Sequence, residues 1–261
     1  MKIGICEISY IPLRVGMSHK SEMLNQILFG ECFEILIHRH DWTKVRLIHD
    51  DYEGWIDTSV IDYIIEKEDV SKDYIFEGLI CNENQTEIRL GSKQKTIIPI
   101  GAVVSVGDKG LSEFSIGSNK YSFDNSKFSP IHKNKRKFIV QKSQEMLNTP
   151  YLWGGRTAFG LDCSGFSQLL YRLVGCNIPR DASKQIGLGT TLSFLSEANP
   201  GDLAFFDNDE GDIVHVGVII DSANIIHASG KVRIDTIDHQ GIYNKHIKRY
   251  THKLRLVKSI L

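Results

Sequence analysis

Residues Tyr151–Ser183 read YLWGGRTAFGLDCSGFSQLLYRLVGCNIPRDAS, and the change of pattern inside this stretch decides the fold of the second half of the chain. Gly154, Gly155 and Gly160 interrupt a loop that runs into a helical periodicity. Phe166, Leu169, Leu170, Leu173 and Val174 then recur at i, i+3, i+4, i+7 and i+8, the single apolar stripe of a buried helix. Gly175 stands where a helix C-cap glycine is expected. Cys163 therefore falls in the first turn, where unpaired N–H groups and the positive end of the helix dipole favour a thiolate. Asp162, directly before it, suits the N-cap. A small buried core residue is the alternative reading of Cys163.

Downstream, Asp202–Phe206 reads as a strand, followed by a turn-rich acidic loop at Asp207–Asp212. Val214–Ile220 is a second, almost wholly apolar strand with one histidine, His215, and Ile225–Ser229 a third with His227. A lone histidine in such a strand is ordinarily a satisfied core residue. Two of them on consecutive short strands, after a helix-start cysteine, fit a nucleophile, a base and an orienting group.

Six motifs stand in order: Tyr151-Leu-Trp-Gly-Gly, Asp162-Cys163-Ser164-Gly165-Phe166, Pro179-Arg180-Asp181, Pro200-Gly201-Asp202-Leu203, His215-Val-Gly-Val and Ile226-His227-Ala228. Together they make residues 131–261 resemble the NlpC/P60 cysteine peptidases of bacterial cell-wall metabolism. The resemblance implies an α+β, papain-like domain in which a cysteine-bearing helix packs on an antiparallel sheet. It makes Cys163 the nucleophile, His215 the base and His227 the orienting group, with Tyr151 beside the cysteine on the oxyanion side.

Composition is that of an ordinary globular chain: 41% of the 261 residues are hydrophobic and 24% charged, enough for one large domain or two to three small ones. A formal net charge of −1 gives no reason to expect nucleic acid or an anionic membrane as partner. No apolar run reaches the roughly 18 residues of a membrane span. The start, Met1–Glu7, lacks the apolar core of a secretory signal, so a cytoplasmic, monomeric protein is expected; a periplasmic or secreted one is the alternative if a leader was removed. Cys6, Cys32, Cys81 and Cys176 read as reduced structural thiols, there being five cysteines and no Cys-x-x-Cys pair. No metal-ligand spacing is present, His38 and His40 merely flanking an arginine, and no cofactor is implied.

Before the peptidase-like part the chain reads as all-β. In residues 1–66, a polar loop at Pro12–Glu22 and strands at Met23–Leu28, Cys32–His38, Trp42–Ile48 and Tyr52–Ile56 argue for a small barrel. With Phe29-Gly30-Glu31, Trp42 and Gly54-Trp55-Ile56 in order, it resembles a bacterial SH3 (SH3b) domain; plain packing is the other reading of the tryptophans. Residues 67–130 look like a second, weaker barrel, with strands at Tyr74–Cys81, Thr86–Leu90, Thr96–Pro99, Ala102–Val106, Glu113–Ile116 and Lys120–Phe123. The basic run Lys133–Lys137 is read as a solvated helix start, and Phe138–Leu147 as an amphipathic helix that Pro150 ends.

Two SH3-like barrels followed by an NlpC/P60 domain is the layout of the γ-D-glutamyl-L-diamino acid endopeptidases (dipeptidyl-peptidase VI type), a subgroup of the family. That resemblance implies hydrolysis of the bond between γ-D-Glu and diaminopimelate or lysine in murein peptides with a free N-terminal L-Ala, in wall-peptide recycling. It also implies that Asp162 binds the free amine, that the first barrel walls the cleft through Glu22 and Tyr52, and that Ser164, Arg180, Asp181 and Ser183 line the site. Arg180 suits a substrate carboxylate, whereas pairing with Asp181 or a helix-cap role is the internal alternative; Ala182 stands where the family often has serine. A wall-directed hydrolase whose barrels bind intact peptidoglycan, a non-catalytic wall-binding protein, and acyl transfer in place of hydrolysis are the competing readings.

Overall fold

The computed structural model describes residues 2–62, 64–66, 78–91, 94–105, 112–129 and 134–261. The expected starts of the strand at Tyr74 and of the basic run at Lys133, and the turn Gly107–Gly110, lie outside them. By contacts the chain forms two compact units, Met1–Pro130 and Ile131–Leu261.

In the first unit, β1 (Lys2–Ile5), β2 (Tyr10–Arg14), β3 (Met23–Leu28), β4 (Cys32–Arg39), β5 (Trp42–Leu47), β6 (Glu53–Asp57) and β7 (Ile64–Glu66) form an antiparallel sheet. Its order is β3-β2-β6-β5-β4-β1-β7. Alternation fixes the faces: Thr43, Val45 and Leu47 of β5 are buried while Trp42, Lys44 and Arg46 stand half-exposed between them. The core is Ile11, Leu13, Ile27, Phe33, Val45, Leu47 and Ile56, not the tryptophans. The polar loop is shorter than expected, because β2 runs through Pro12. That strand meets β6 only at Arg14↔Trp55, so the proline's missing N–H interrupts no ladder there.

The rest of this unit has two small sheets. One contains β8 (Gly78–Cys81), β11 (Val103–Ser105) and β14 (Phe128–Ser129); the other contains β9 (Gln85–Leu90), β10 (Gln94–Pro99), β12 (Glu113–Ile116) and β13 (Asn119–Phe123). Their core includes Phe29 from the first half, edge-on to Phe114 and Tyr121. Val103 N donates to Phe29 O (2.9 Å) and the Tyr121 hydroxyl to buried Glu7 (2.7 Å), so the two halves share side chains across residue 66.

The second unit begins with α1 (Lys135–Glu145), capped by Asn134. It ends before Pro150 is reached, with Asn148 in the left-handed region (φ 70°). Arg136 is not simply solvated: it donates to buried Asp202 at 2.8 Å and to the backbone of Pro200 and Leu261. The hairpin β15 (Arg156–Thr157) and β16 (Gly160–Leu161) leads into α2 (Cys163–Leu173), every residue of which is buried. Gly175 closes that helix at φ 69°, while Cys176 N reaches back to Tyr171 O. After α3 (Ala182–Gln185) come β17 (Thr190–Leu192), β18 (Leu203–Asp207), β19 (Ile213–Ile219), β20 (Asn224–Ser229), β21 (Lys231–Asp238), β22 (Gly241–Asn244) and β23 (Arg249–Ser259). The order is β17-β23-β18-β19-β20-β21-β22, and because β23 also pairs with β22 the last six strands close on themselves. Helix α2 packs on β19 and β20, which brings the helix start against the two histidine strands.

Candidate active site

Asp162 caps α2, accepting from Gly165 N at 2.7 Å through Oδ1 and from Gly154 N at 2.8 Å through Oδ2. Gly165 is required by the close approach of the hairpin: a Cβ there would lie 2.3 Å from Gly155 O and 2.9 Å from Asp162 Oδ1. Arg180 completes the arrangement. Its Nη1 donates to Asp162 Oδ1 (2.9 Å) and Ser164 Oγ (2.8 Å), and its Nη2 to Asp162 Oδ2. Both residues are buried, so Arg180 pairs with Asp162 and not with its chain neighbour Asp181, which lies 3.7 Å from Lys184. Ser183 is exposed.

Cys163 is 7% exposed. Burial and the Asp162 carboxylate push its thiol up to about 11, against the lowering pull of the Val216 and Ser164 backbone and of Arg180. The helix start alone led to the opposite expectation; desolvation outweighs it. Contact with the Val216 backbone places the sulfur beside the strand that carries His215. Burial, Cys163 and Asp162 push the hydroxyl of half-buried Tyr151 up to about 12, in keeping with a position close to both.

His215 Nε2 and His227 Nδ1 lie 2.8 Å apart, and His227 Nε2 lies 3.0 Å from Asp235 Oδ2. Arg233 grips the same carboxylate, Nη2 donating to Oδ1 at 2.9 Å and Nε lying 2.6 Å from Oδ2. Burial drives His215 well below the ordinary imidazole range, with the charges of His227 and His252 acting in the same sense. His227 is lowered too, burial outweighing the opposing carboxylate. For Asp235, burial works to raise the carboxyl, yet the His227 and Arg233 hydrogen bonds hold it below the usual range. His252 stacks on His215 with centroids 4.1 Å apart and planes 28° apart.

His215, His227 and His252 each bring a nitrogen within 4.8 Å of the others, a grouping able to take a transition ion. Both nitrogens of His227 and one of His215 are already hydrogen-bonded, so an ion there would break the chain of hydrogen bonds.

Cys163 lies against the backbone of Val216, the residue after His215, and His215 is hydrogen-bonded to His227, while Asp162, Ser164, Arg180 and Tyr151 stand near the cysteine. Glu22 and Tyr52 belong to the first unit. Glu22 is exposed and its carbonyl closes the Val15–Glu22 loop (3.0 Å), while Tyr52 packs against that unit's core. Asp235, Arg233, His252 and Gln185 escaped the sequence reading. Gln185 is fully buried and holds α2, donating to Ser164 O and accepting from Ser167 Oγ. A usable signal for Asp235 existed. Gly230 makes a tight hairpin that pairs Ser229 with Lys231, setting Arg233 opposite His227 and Asp235 one step along the same face.

A family model described as "NlpC/P60 family" matches residues 148–253, and one described as "Bacterial dipeptidyl-peptidase Sh3 domain" matches residues 13–61. A Bacillus subtilis gamma-D-glutamyl-L-lysine dipeptidyl-peptidase is 30% identical over 253 residues, covering 90% of this chain and 82% of that one. A Bacillus cereus protein of the same description is 25% identical over 245 residues, 82% of this chain and 70% of its own. In three dimensions the chain is similar, over the whole of both, to an NlpC/P60 family protein from Bacillus cereus, with a TM-score of 0.81 at 18% identity, which speaks for the fold. The N-terminal part is accordingly SH3-like.

Proposed function

The chain belongs to the NlpC/P60 cysteine peptidase family, and from that premise we propose that it hydrolyses the γ-D-glutamyl–diamino acid bond of murein peptides carrying a free N-terminal L-Ala. The observation that carries the reading is Cys163 at the start of a buried helix, against the Val216 backbone next to His215, whose ring is hydrogen-bonded to His227. Relatives described as gamma-D-glutamyl-L-lysine dipeptidyl-peptidases over most of their length support the substrate class. We read the described residues within 67–130 as a second SH3-like module, and wall-peptide recycling in the cytoplasm as the setting.

In this mechanism thiol and imidazole rest as a neutral pair, since the thiol is raised and the imidazole lowered. Substrate binding brings the γ-carbonyl to Cys163. The thiol proton passes to His215 as sulfur attacks, and N–H groups at the start of α2 receive the oxyanion. His215 then gives its proton to the leaving amine of the diamino acid. Water, deprotonated by the same imidazole, releases L-Ala-γ-D-Glu.

Asp162 supplies negative charge for the substrate ammonium. Its Oδ1 receives Gly165, Arg180 and, at 3.4 Å, Ser164, and its Oδ2 receives Gly154 and Arg180. Tyr151 and Ser183 are proposed as further substrate contacts; Arg180 acts through Asp162 and Ser164.

The test is product analysis by chromatography and mass spectrometry on L-Ala-γ-D-Glu-diaminopimelate, its lysine analogue, and the same peptides with the amine acylated. Cleavage of the free peptides only, abolished by Cys163→Ala, is expected. Cleavage of acylated and free peptides alike would overturn the free-amine reading, and cleavage of neither would overturn the substrate.

A further inference from the structure

His215 and His227 form one hydrogen bond between two rings that each have two nitrogens, so two tautomeric arrangements satisfy it. In one, His215 Nε2 carries the proton and donates to His227 Nδ1; in the other the donor and acceptor exchange. Only the first leaves His215 Nδ1 with a lone pair. Since Nε2 is committed to His227, Nδ1 is the nitrogen left for the thiol, and the second arrangement would present Cys163 with an N–H and no base.

We infer that Asp235, held by Arg233, is a positioning residue of the peptidase: it sets the tautomers of both histidines and thereby makes His215 Nδ1 the catalytic base. An ionised carboxylate accepts hydrogen bonds and cannot donate them. Asp235 Oδ2 lies 3.0 Å from His227 Nε2, so that nitrogen carries the proton. Neutral His227 then has its lone pair on Nδ1, 2.8 Å from His215 Nε2, which must donate. The proton of His215 therefore sits on Nε2 and its lone pair on Nδ1. Arg233 keeps the carboxylate ionised and aimed, taking both of its oxygens from a residue that stands directly opposite His227 in the hairpin.

The proton inventory closes without Asp235 gaining one. During attack the thiol proton moves to His215 Nδ1, the imidazolium keeps its Nε2–H on His227, and the Nδ1 proton leaves with the amine. The carboxylate steadies that transient charge through His227. This rests on the reading of Cys163 and His215 given above.

Asp235→Asn tests it. Rotated to present its carbonyl oxygen to His227, an asparagine keeps the wild-type order; rotated to present its NH2, it reverses both rings, and it removes the charge in either case. Expected are a fall in kcat on the order of 10²–10⁴-fold, the span between one general-base contribution and a mis-set tautomer in a comparable triad, with KM little changed, and partial recovery in Asp235→Glu. Nitrogen-15 NMR of histidine-labelled protein provides a readout that a merely structural role would not move: wild type should show both rings protonated at Nε2, and Asp235→Asn should keep that pattern only where its carbonyl oxygen faces His227. Wild-type rings protonated at Nδ1, or unchanged kcat in Asp235→Asn, overturns the inference while leaving Cys163 in place. Activity surviving in Cys163→Ala would instead strike at the underlying reading. Should Asp235→Asn fold poorly, the wild-type spectrum alone decides.

Discussion

Arg180 and Asp162 form a buried two-pronged ion pair one residue from Cys163, with exposures of 2% and 4%. It ties the loop after α2 to that helix's own N-cap, so the same carboxylate both caps the helix and anchors the loop Pro179-Arg180-Asp181.

Removing one partner leaves the other charge buried and alone. Arg180→Ala should destabilise the domain by about 3–5 kcal/mol, read in thermal or urea unfolding, and lower kcat. Arg180→Lys should recover only a fraction, because a single ammonium cannot serve both carboxylate oxygens and Ser164 together. Full stability in Arg180→Ala would show that the pair contributes nothing, and full stability in Arg180→Lys that its two-pronged geometry does not matter.

The raised thiol makes a prediction opposite to that of a helix-start thiolate. Alkylation of Cys163 by iodoacetamide should be slow at neutral pH and rise about tenfold per pH unit toward its value of about 11. A rate already flat between pH 6 and pH 8 would mean a preformed thiolate–imidazolium pair.

Acid sensitivity follows from the histidines. An unfolded histidine binds its proton near 6.5, whereas burial lowers His252 to about 4, so between those values the unfolded chain takes up a proton that the folded one does not. Stability is therefore fully present above 6.5 and is lost on acidification through this window; His215 and His227 act in the same sense. His252→Phe keeps a ring against His215 and should give a shallower fall of Tm with pH. Identical slopes would place the acid lability elsewhere.

Gly217, on the strand of His215, tests how finely the pair is placed. A Cβ there would lie 2.9 Å from His227 Cβ and 2.7 Å from Ile225 Cδ1. Gly217→Ala should push the β20 ring out of register and reduce kcat on the order of 10²-fold, the effect of about 1 Å of misplacement. An unaltered kcat would show that β20 yields without loss.

The placement of Cys163 at a helix start and of His215 and His227 on neighbouring strands was legible because each breaks a strong pattern: a cysteine before an apolar helical stripe, and single histidines in strands otherwise apolar. Asp235, Arg233 and His252 were not, because β21 and β23 alternate with exposed charges such as Lys231, Lys253 and Arg255 and so read like solvated chain. Recovering Asp235 needed the register across Gly230, a pairing property and not a local one. The partner of Arg180 was missed for a similar reason: Asp181 is next in sequence, while Asp162, 18 residues earlier, is next in space. Phe29, joining the two cores of the first unit, carries no local mark of that role.

In the proposed mechanism Cys163 attacks the γ-D-glutamyl carbonyl. Rapid acid quenching of the enzyme during turnover of L-Ala-γ-D-Glu-Lys, followed by peptide mapping in a mass spectrometer, tests it directly. The expected result is an L-Ala-γ-D-Glu acyl group on the peptide containing Cys163, absent in Cys163→Ala. Product formation with no such adduct, and undiminished in Cys163→Ala, would contradict it.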